Sequence, residues 1–326
     1  MMYPLKFNSI YKEKIWGGRK LETFKADMPD GNIGESWDIT CHPEGISKVI
    51  NGEYKGLGLD ELIKLKGEDL LGIKILPEWF PLMIKLINPR EKLSIQVHPT
   101  DEYAQKFEGD NGKTEAWYVV DALKDAFVYI GTKDGCTSED FKRAVETGQL
   151  ENYMNKVNVK KGDAFFIKSG LVHALGSGLV VLEIEQNSNT TYRIYDYNRG
   201  RELNLEKSMD VIDLNLKGKR SKGLKIENNS FSKIYYCLDE HFSWELYDIQ
   251  SSLCESSDSE RFYIFTCVEG EGIIKYDNGF EKIRCGESLL IPACLGKYEV
   301  EGMLKILKSY VPDIKKVERD ILGYIN

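Results

Sequence analysis

Short apolar segments, separated by glycines and polar residues, recur along most of the chain and favour β-strands over long helices. They are continuously apolar or alternate apolar with polar residues, and most are of ordinary strand length, roughly four to eight residues. The predicted strands are Phe80 to Ile87, Leu93 to His98, Glu115 to Val120, Ala126 to Ile130, Ala164 to Ile167 and Leu179 to Ile184. A series of this kind predicts a sandwich or barrel.

Helical periodicity is confined to short segments, and it predicts helices at Gly58 to Lys66, Asp101 to Phe107 and Ser138 to Val157. The start of the last one, from Thr137 to Asp140, combines hydroxyl and acidic side chains that suit the beginning of a helix. We therefore expect a mainly β fold with small helical attachments.

A repeated motif divides the chain into two similar parts. The segment from Gly162 to His173 aligns without gaps with the segment from Gly286 to Lys297, and each has a glycine-acid turn, a buried strand and a second turn. A hairpin-like strand pair is predicted before each copy, at Ala126 to Lys133 and at Tyr263 to Tyr276, the latter turning at Gly270 to Gly272. Two copies of one β-unit predict two related jelly-roll barrels. A match over so few residues also arises by chance, since this turn suits any small jelly roll.

We place the boundary between the two parts in the polar, lysine-rich stretch from Leu216 to Asn229. Residues 1–225 would then form the domain that carries the small helices and the chemistry, and residues 226–326 a C-terminal barrel. Lys297 stands where the repeat has His173, and a lysine cation repels a metal, so we expect this barrel to hold none. Tyr263 to Phe265 and Leu289 to Ile291 should be buried in it.

The composition and charge exclude several classes of protein. Apolar residues make up 42% and charged residues 29%, as in a globular protein with a substantial core. No apolar run approaches the roughly 20 residues that span a bilayer, and the first residues show no signal peptide. Seven scattered cysteines without a Cys-x-x-Cys pair indicate reduced thiols, and we expect a cytoplasmic protein. The net charge of −8 argues against nucleic acid as a partner but allows a small anionic one.

The strand from Leu93 to His98 alternates in polarity. Its odd-numbered residues are apolar, whereas Ser94, Gln96 and His98 share the opposite face, because side chains in a strand have period two. A polar face inside a β-rich domain predicts a barrel strand that lines a cavity. Gln96 and His98 are two residues apart and could both reach one metal ion.

Two further candidate ligands follow. Glu115 begins the next strand, with Lys113 two residues before it, and His173 closes the repeated motif. A glutamine, two histidines and a glutamate supply two nitrogens and two oxygens, a set that suits Zn²⁺ with room for a water or a substrate oxygen. Taken singly, a strand histidine is more often a hydrogen-bonded structural residue and a glutamate a surface acid. The other histidines lack such partners, and we expect His42 in a turn and His241 at an exposed strand start.

The segment from Leu93 to Pro99 resembles the signature of type I mannose-6-phosphate isomerases of the cupin superfamily. The resemblance covers most of the chain. Its other segments are Tyr11 to Gly18, Gly34 to Trp37, Gly112 to Glu115, Leu171 to Ala174 and Glu183 to Arg193. It is to the short bacterial branch, which lacks a long helical insertion. It implies tandem cupin domains and an enzyme that interconverts mannose 6-phosphate and fructose 6-phosphate.

The resemblance also implies roles for individual side chains. The ligands of one Zn²⁺ per chain would be Gln96, His98, Glu115 and His173. The contacts to the substrate and its phosphate would include Ser94, Lys113 and Arg193. Glu183 lies ten residues before Arg193, the spacing of an acid and an active-site arginine in the longer members, and is the favoured base. Glu185 shares the strand face of Glu183 and stays an alternative.

In such an isomerase a proton moves between C1 and C2 through a cis-enediolate, whose negative oxygen needs a positive partner such as zinc. Two other functions stay open: a different cupin sugar-phosphate isomerase or epimerase, and a non-catalytic sugar-binding or regulatory cupin. An iron dioxygenase is disfavoured, because such sites usually use histidines with one carboxylate and leave open positions for oxygen, whereas the set here adds a glutamine. The sequence leaves the oligomeric state open.

Overall fold

The computed structural model describes residues 2–227 and 231–325. The strands in this part of the chain are β1 Leu5–Lys6, β2 Ile10–Gly18, β3 Ile33–Ile39, β4 Cys41–His42, β5 Gly45–Ile46, β6 Leu82–Ile87, β7 Ile95–Val97, β8 Glu115–Ala122, β9 Phe127–Thr132, β10 Met154–Asn158, β11 Ala164–Ile167, β12 His173–Leu175, β13 Leu179–Gln186, β14 Tyr192–Tyr195, β15 Arg220–Ser221, β16 Leu224–Glu227, β17 Phe231–Leu238, β18 Ser243–Ile249, β19 Ser252–Ser256, β20 Tyr263–Tyr276, β21 Gly279–Arg284, β22 Ser288–Ile291 and β23 Lys297–Tyr310. The helices are α1 Leu59–Lys66, α2 Glu68–Leu71, α3 Asp101–Phe107, α4 Ser138–Glu146, α5 Leu205–Val211 and α6 Ile314–Ile325. The prediction of a mainly β fold with a few short helices is confirmed.

Antiparallel sheets build two barrels. In the first barrel a seven-stranded sheet, β15-β11-β8-β13-β6-β3-β2, faces a five-stranded sheet, β10-β9-β12-β7-β14. Val119 and Val181 of the larger sheet share one apolar core with Val128 and Ile130 of the smaller. The second barrel is a nine-stranded sheet in the order β1-β22-β20-β23-β18-β17-β16, to which β19 and β21 also belong. The prediction of two barrels in tandem is confirmed.

The predicted strands all overlap strands of the structure, and Ala164–Ile167 agrees at both ends. Helix α3 also agrees at both ends, because the hydroxyl of Thr100 accepts the N–H of Tyr103 and caps its first turn. Helix α1 begins one residue later than predicted. Helix α4 starts as predicted, with a capping box between Thr137 and Asp140.

The predicted helix from Ser138 to Val157 is wrong in its second half. Helix α4 ends at Glu146, Gly148 adopts a positive φ of 67°, and the chain passes through a short 3₁₀ turn into strand β10. A glycine in this conformation ends a helix readily, since it has no Cβ to strain the left-handed backbone. The last residues of the predicted helix, from Met154 to Val157, belong to β10, which pairs with β9 at the edge of the sheet.

The predicted hairpin within Tyr263 to Tyr276 is also wrong. These residues form one long strand, β20, which pairs with β23 along its length; the hairpin turn follows it, between β20 and β21. Gly270 has a φ of 74°, and a Cβ there would lie 2.0 Å from the carbonyl oxygen of Met303. The glycine therefore serves a close backbone approach at a bulge rather than a turn. The segment from Ala126 to Lys133 likewise holds one strand, β9, flanked by β10 and β12.

The repeated motif has the same local structure in both barrels. Gly162 and Gly286 have φ values of 90° and 87°, and each precedes a short buried strand, β11 or β22. His173 and Lys297 then each begin the next strand. The residues predicted to be buried in the C-terminal barrel, from 263 to 265 and from 289 to 291, are buried.

The link between the barrels is short. Strand β15 pairs with β11 of the first barrel and β16 pairs with β17 of the second. The predicted boundary between residues 225 and 226 falls within β16, and positions 228 and 229 of the predicted linker lie outside the described residues. One strand crosses over: β1, at the start of the chain, pairs with β22 of the second barrel.

Strand β13 is buried along its whole length because the larger sheet of the first barrel packs on both faces. Val181 points into its own barrel, whereas Leu182 and Ile184 belong to a core shared with the second barrel. At that contact the rings of Phe80 and Phe262 stack with their centroids 5.1 Å apart.

All seven cysteines are free. Among the described residues, the helices are too short or too polar to cross a membrane.

Candidate active site

Strand pairing brings the predicted site residues together. Gln96 in β7 lies directly opposite His173 of β12 on one side and opposite Arg193 of β14 on the other. In the facing sheet, Glu185 of β13 lies opposite Glu115 of β8. Directly opposed residues of antiparallel strands have Cβ atoms roughly 5 Å apart, so each pairing forces side-chain contact.

Three side chains converge in the barrel interior. Nε2 of His98 lies 3.3 Å from Oε2 of Glu115, and Nε2 of His173 lies 3.4 Å from Oε1 of the same carboxylate. All three are about 1% exposed. Nε2 of Gln96 lies 3.3 Å from Nε2 of His173. Turning that amide over exchanges its nitrogen for its oxygen, which would offer a further ligand atom at the same place.

The backbone determines which ring nitrogens carry hydrogen. Nδ1 of His98 lies 3.1 Å from the carbonyl oxygen of Thr190, and Nδ1 of His173 lies 2.8 Å from that of Leu171. A carbonyl oxygen only accepts, so both Nδ1 atoms donate and both neutral rings turn an Nε2 lone pair toward Glu115. Burial lowers the pKa of both imidazoles, that of His173 to about 4, and so favours the neutral form.

This arrangement fits a bound cation. Nε2 of His98 and both oxygens of Glu115 are buried and have no hydrogen-bond partner in the structure. Buried acceptors facing one another repel unless a positive group lies between them. Imidazole nitrogens whose other N–H is held by a carbonyl, together with a carboxylate, are the ligands typical of a zinc-like site.

Glu183 and Glu185, the two candidates for the base, have different surroundings. Glu185 is fully buried between two ammonium groups, 2.5 Å from Lys85 and 2.7 Å from Lys113. Glu183 accepts a 2.9 Å hydrogen bond from Nε1 of Trp117 and lines a cavity. Burial and the neighbouring carboxylates hold the pKa of Glu183 well above its usual value.

Lys113 remains a cation despite its burial. Burial alone would lower its pKa, but three glutamates, with Glu185 the strongest, raise it well above the usual value. Its ammonium lies 3.4 Å from Oε2 of Glu115. A buried, permanently charged ammonium beside the proposed ligands can stabilise negative charge on a bound molecule.

These side chains surround a cavity of about 200 Å³. The predicted site residues that line it are Ser94, Gln96, Lys113, His173, Glu183 and Arg193. His98 and Glu115 lie beneath this lining. The sequence analysis missed Lys14, Lys85 and Arg201, which also line the cavity. The sequence could have indicated Lys85, because a single lysine in an otherwise apolar strand requires a buried partner. Arg201 lies in a loop and has no such pattern around it.

Two arginines, Arg193 and Arg201, line the cavity. Nη1 of Arg193 donates to the carbonyl oxygen of Glu202 at 2.8 Å, while its Nε is buried without a partner. Burial and the charge of Arg201 lower the pKa of Arg193. Arg201 is already paired with the carboxylate of Asp196, so the unpaired nitrogen of Arg193 is the donor that remains for an anion.

The other two histidines have structural partners, and His241 differs from its predicted setting. His42 is the last residue of strand β4, where the turn to β5 begins as predicted, and it is buried with Nε2 3.7 Å from a carboxylate oxygen of Asp110. His241 is half-buried rather than exposed, and precedes the start of β18 at Ser243. It lies between the carboxylates of Asp239 and Asp101.

Comparison with known proteins points to one family. Residues 4–126 match the catalytic domain of type I phosphomannose isomerase, and residues 232–311 match the cupin domain of mannose-6-phosphate isomerase. The chain is 36% identical to mannose-6-phosphate isomerase ManA of Bacillus subtilis, over 94% of this chain and 99% of that protein. It is 32% identical to the mannose-6-phosphate isomerase of Streptococcus mutans, over 95% and 99%.

Solved structures agree. A crystal structure of the mannose 6-phosphate isomerase from Bacillus subtilis superposes with a TM-score of 0.88 at 31% identity, over 94% of this chain and 99% of that one. A mutant phosphomannose isomerase from Salmonella typhimurium superposes with a TM-score of 0.76 at 15% identity, over 94% and 99%, and at that identity the likeness concerns the fold.

Proposed function

The chain belongs to the type I phosphomannose isomerase family, and we propose that it interconverts D-mannose 6-phosphate and D-fructose 6-phosphate with one zinc ion per chain. The observation that carries this proposal is the convergence of two neutral imidazoles on the buried carboxylate of Glu115, which has no hydrogen-bond partner and one ammonium, that of Lys113, 3.4 Å from Oε2, beside a sugar-sized cavity. The free cysteines fit a reducing compartment, and we propose the cytoplasm as the site of action.

The zinc ligands in this proposal are Gln96, His98, Glu115 and His173. When bound there, zinc would polarise the sugar carbonyl and has no redox chemistry of its own. The carbonyl oxygens of Thr190 and Leu171 hold the two rings in the ligating tautomer. Residues 1–225 would then be the catalytic domain, and residues 226–326 a barrel without metal ligands.

Glu183 is the proposed base. It would take the proton from C2 of mannose 6-phosphate and return it to C1, while the proton on O2 passes to O1, which yields the ketose. The intermediate between these steps is a cis-enediolate. Two features favour Glu183 over Glu185 as the base: Glu183 lines the cavity, and it accepts a hydrogen bond from Trp117. The oxygens of Glu185 lie instead between two ammonium groups.

Positive side chains would divide two tasks. Lys113, held beside Glu115, would stabilise the negative oxygen of the enediolate. Arg193 would bind the phosphate together with Arg201, and Ser94 would contact a sugar hydroxyl. Phosphate binding away from the reacting carbons supplies energy that orients C1 and C2. Glu183, Lys113 and Arg193 all face the cavity, which argues against a non-catalytic sugar-binding protein.

A coupled assay tests the function directly. Purified enzyme should convert mannose 6-phosphate to fructose 6-phosphate, lose this activity with a chelator, and regain it with added zinc. Other aldose phosphates serve as competing substrates and distinguish a different sugar-phosphate isomerase. Activity that persists without metal would contradict the zinc dependence, and binding without turnover would contradict catalysis.

A further inference from the structure

His241 connects the second barrel to the first. It lies in the loop before β18, and its Nδ1 is 2.7 Å from Oδ1 of Asp239 in the same loop. Its Nε2 reaches across to Oδ2 of Asp101, 3.2 Å away, at the first residue of helix α3. Both ring nitrogens face carboxylate oxygens, so both carry hydrogen and the ring is a cation. Burial alone would lower its pKa, but the two carboxylates raise it to about 9.

The other oxygen of Asp101 leads toward the active site. Oδ1 of Asp101 accepts the backbone N–H of Gly112 at 2.8 Å and the side-chain amide of Gln186 at 2.9 Å. The oxygen of that same amide accepts the backbone N–H of Thr114 at 2.9 Å. Asp101 therefore holds the amides on both sides of Lys113, one directly and one through Gln186.

The segment held in this way has no regular secondary structure of its own. Residues 112–114 precede the first residue of β8, which is Glu115. The backbone is pressed against α3, since a Cβ on Gly112 would lie 2.3 Å from the backbone nitrogen of Asp101. Lys113 itself donates its backbone N–H to the carbonyl oxygen of Pro99 at 3.0 Å, whereas the amides on either side of it depend on the side chain of Asp101.

We propose that His241 is a positioning residue: through Asp101 it fixes segment 112–114, and so places the Lys113 ammonium in the catalytic cavity. The proposal rests on the isomerase function proposed above. It gives the second barrel a part in the reaction although that barrel contributes no side chain to the cavity lining among the described residues.

A second ion pair between the barrels provides a matched control. Lys161 lies 2.8 Å from Glu269, and both side chains are about half exposed. In the described structure the ion pairs of Lys161 and Glu269 join them to each other and to Lys305, and none reaches Asp101, Gln186 or segment 112–114. Lys161→Ala should therefore leave turnover and the exchange behaviour of segment 112–114 unchanged.

Two amide substitutions separate the two contacts of the ring. The Gln amide nitrogen occupies roughly the place of Nε2 and the Asn amide nitrogen that of Nδ1, so His241→Gln keeps the donor to Asp101 and His241→Asn keeps only the donor to Asp239. Both variants lose the charge equally. We expect His241→Asn to lower kcat about 10- to 100-fold, the scale for lost support of an active-site group, with KM changed less. His241→Gln should recover most of that loss.

Hydrogen exchange gives a readout that does not need activity. The amides of Gly112 and Thr114 should exchange faster in His241→Asn than in wild type, and close to normally in His241→Gln. Equal kcat in both variants, or a loss of stability with normal kcat and exchange, would overturn the proposal. If wild type itself fails to isomerise mannose 6-phosphate, the proposed function is wrong, and the exchange data still decide whether His241 holds the segment.

Discussion

Both barrels bury carboxylates and ammonium groups on the polar faces of their strands, and they differ in how these groups are paired. In the first barrel, Glu115 and His98 turn acceptor atoms without a hydrogen bond toward each other, and the ammonium of Lys113 lies 3.4 Å from one of them. In the second barrel, the buried side chain of Glu245 and the nearby Glu255 are enclosed by donors. Comparable strands thus enclose two different sites: the one in the first barrel requires a further cation, whereas the charges of the one in the second barrel are already balanced.

The donors in the second barrel are tyrosines and lysines. The hydroxyl of Tyr247 lies 3.2 Å from a Glu245 oxygen and 2.8 Å from a Glu255 oxygen. Lys308 donates to Glu255 at 2.8 Å and lies over the ring of Tyr263, 3.9 Å from its centroid. Burial and, after it, the two carboxylates raise the pKa of Tyr247 well above its usual value, so its hydroxyl stays a donor.

The difference in charge pairing between the two barrels indicates which of them can bind a metal. Buried charge alone does not indicate a site, because the second barrel buries charge and satisfies it internally. Acceptors without donors are the discriminating feature. The repeat shows the same contrast at one position: His173 is buried and turns a lone pair inward, whereas Lys297 is exposed.

The largest effect should come from removing a ligand in the first barrel. His173→Ala should lose bound zinc and at least about 10³ in turnover, since polarisation by the metal supplies several kcal/mol. Lys297→Ala, the matched substitution in the second barrel, should keep both. Elemental analysis and the coupled assay measure this. A second metal bound in the C-terminal barrel would break the comparison.

Next in size is the loss of the proposed base. Glu183→Gln keeps the shape but removes the basicity, so kcat should fall about 10²- to 10⁴-fold while zinc and fold are retained. Exchange of the C2 proton of mannose 6-phosphate into deuterated solvent isolates this step from product release. Normal exchange in Glu183→Gln with slowed exchange in Glu185→Gln would reverse the two roles.

The second barrel should respond in stability rather than in turnover. Lys308→Met leaves Glu255 without its ammonium partner, and breaking a buried pair typically costs about 3–5 kcal/mol of unfolding free energy. Urea unfolding measures the loss. Adding Glu255→Gln should recover part of it. A marked fall in kcat of the folded Lys308→Met enzyme would show that the second barrel is not merely self-contained.

The phosphate contacts should give a smaller kinetic effect. Arg193→Ala should weaken the binding of phosphorylated sugar by about 1.5–3 kcal/mol, which is roughly 10- to 150-fold in affinity. This is the scale of a hydrogen bond to a charged group. Inhibition constants of a sugar phosphate and of its unphosphorylated form give the comparison. The variant should lose affinity only for the phosphorylated one. Equal losses for both sugars would remove Arg193 from the phosphate site.

The smallest effect concerns pH and the contact between the barrels. The folded pKa of His241, about 9, lies above its usual 6.5, so the imidazolium contributes stability that is complete below about pH 6.5. That contribution is lost as pH rises through about 9. The stability advantage of wild type over His241→Gln should therefore shrink between pH 6 and pH 10 in urea unfolding. A constant difference would contradict the ionic contact.

The sequence predicted correctly those strands and helices whose ends are determined by nearby residues in the chain. Strand β11 and helix α3 were predicted to the residue, because a turn glycine and a hydroxyl cap mark their starts. Strand β20 was not predicted correctly. In the sequence Gly270 is typical of a turn, and only the close approach of β23 in the folded structure explains it. Alternation in β7 was enough to bring Gln96 and His98 to one face.

The rest of the site depends on tertiary contacts. Arg201 reaches the cavity from a loop, and His241 reaches α3 from the other barrel; neither lies in a pattern that the sequence displays. The separation of Glu183 from Glu185 likewise needed the positions of Lys85 and Lys113. Such contacts join residues far apart in the chain, and periodicity carries no information about them.

Strand β1 also sets an order of events. Leu5 pairs with Leu290, so this strand leaves the ribosome well before its partner, with a delay of 285 residues of synthesis between them. At roughly 5–20 residues per second, that delay is on the order of tens of seconds. The first barrel can fold within it, whereas the second closes its edge at β22 only with a strand made before the first barrel. Completion of the second barrel is thus tied to residues translated ahead of both.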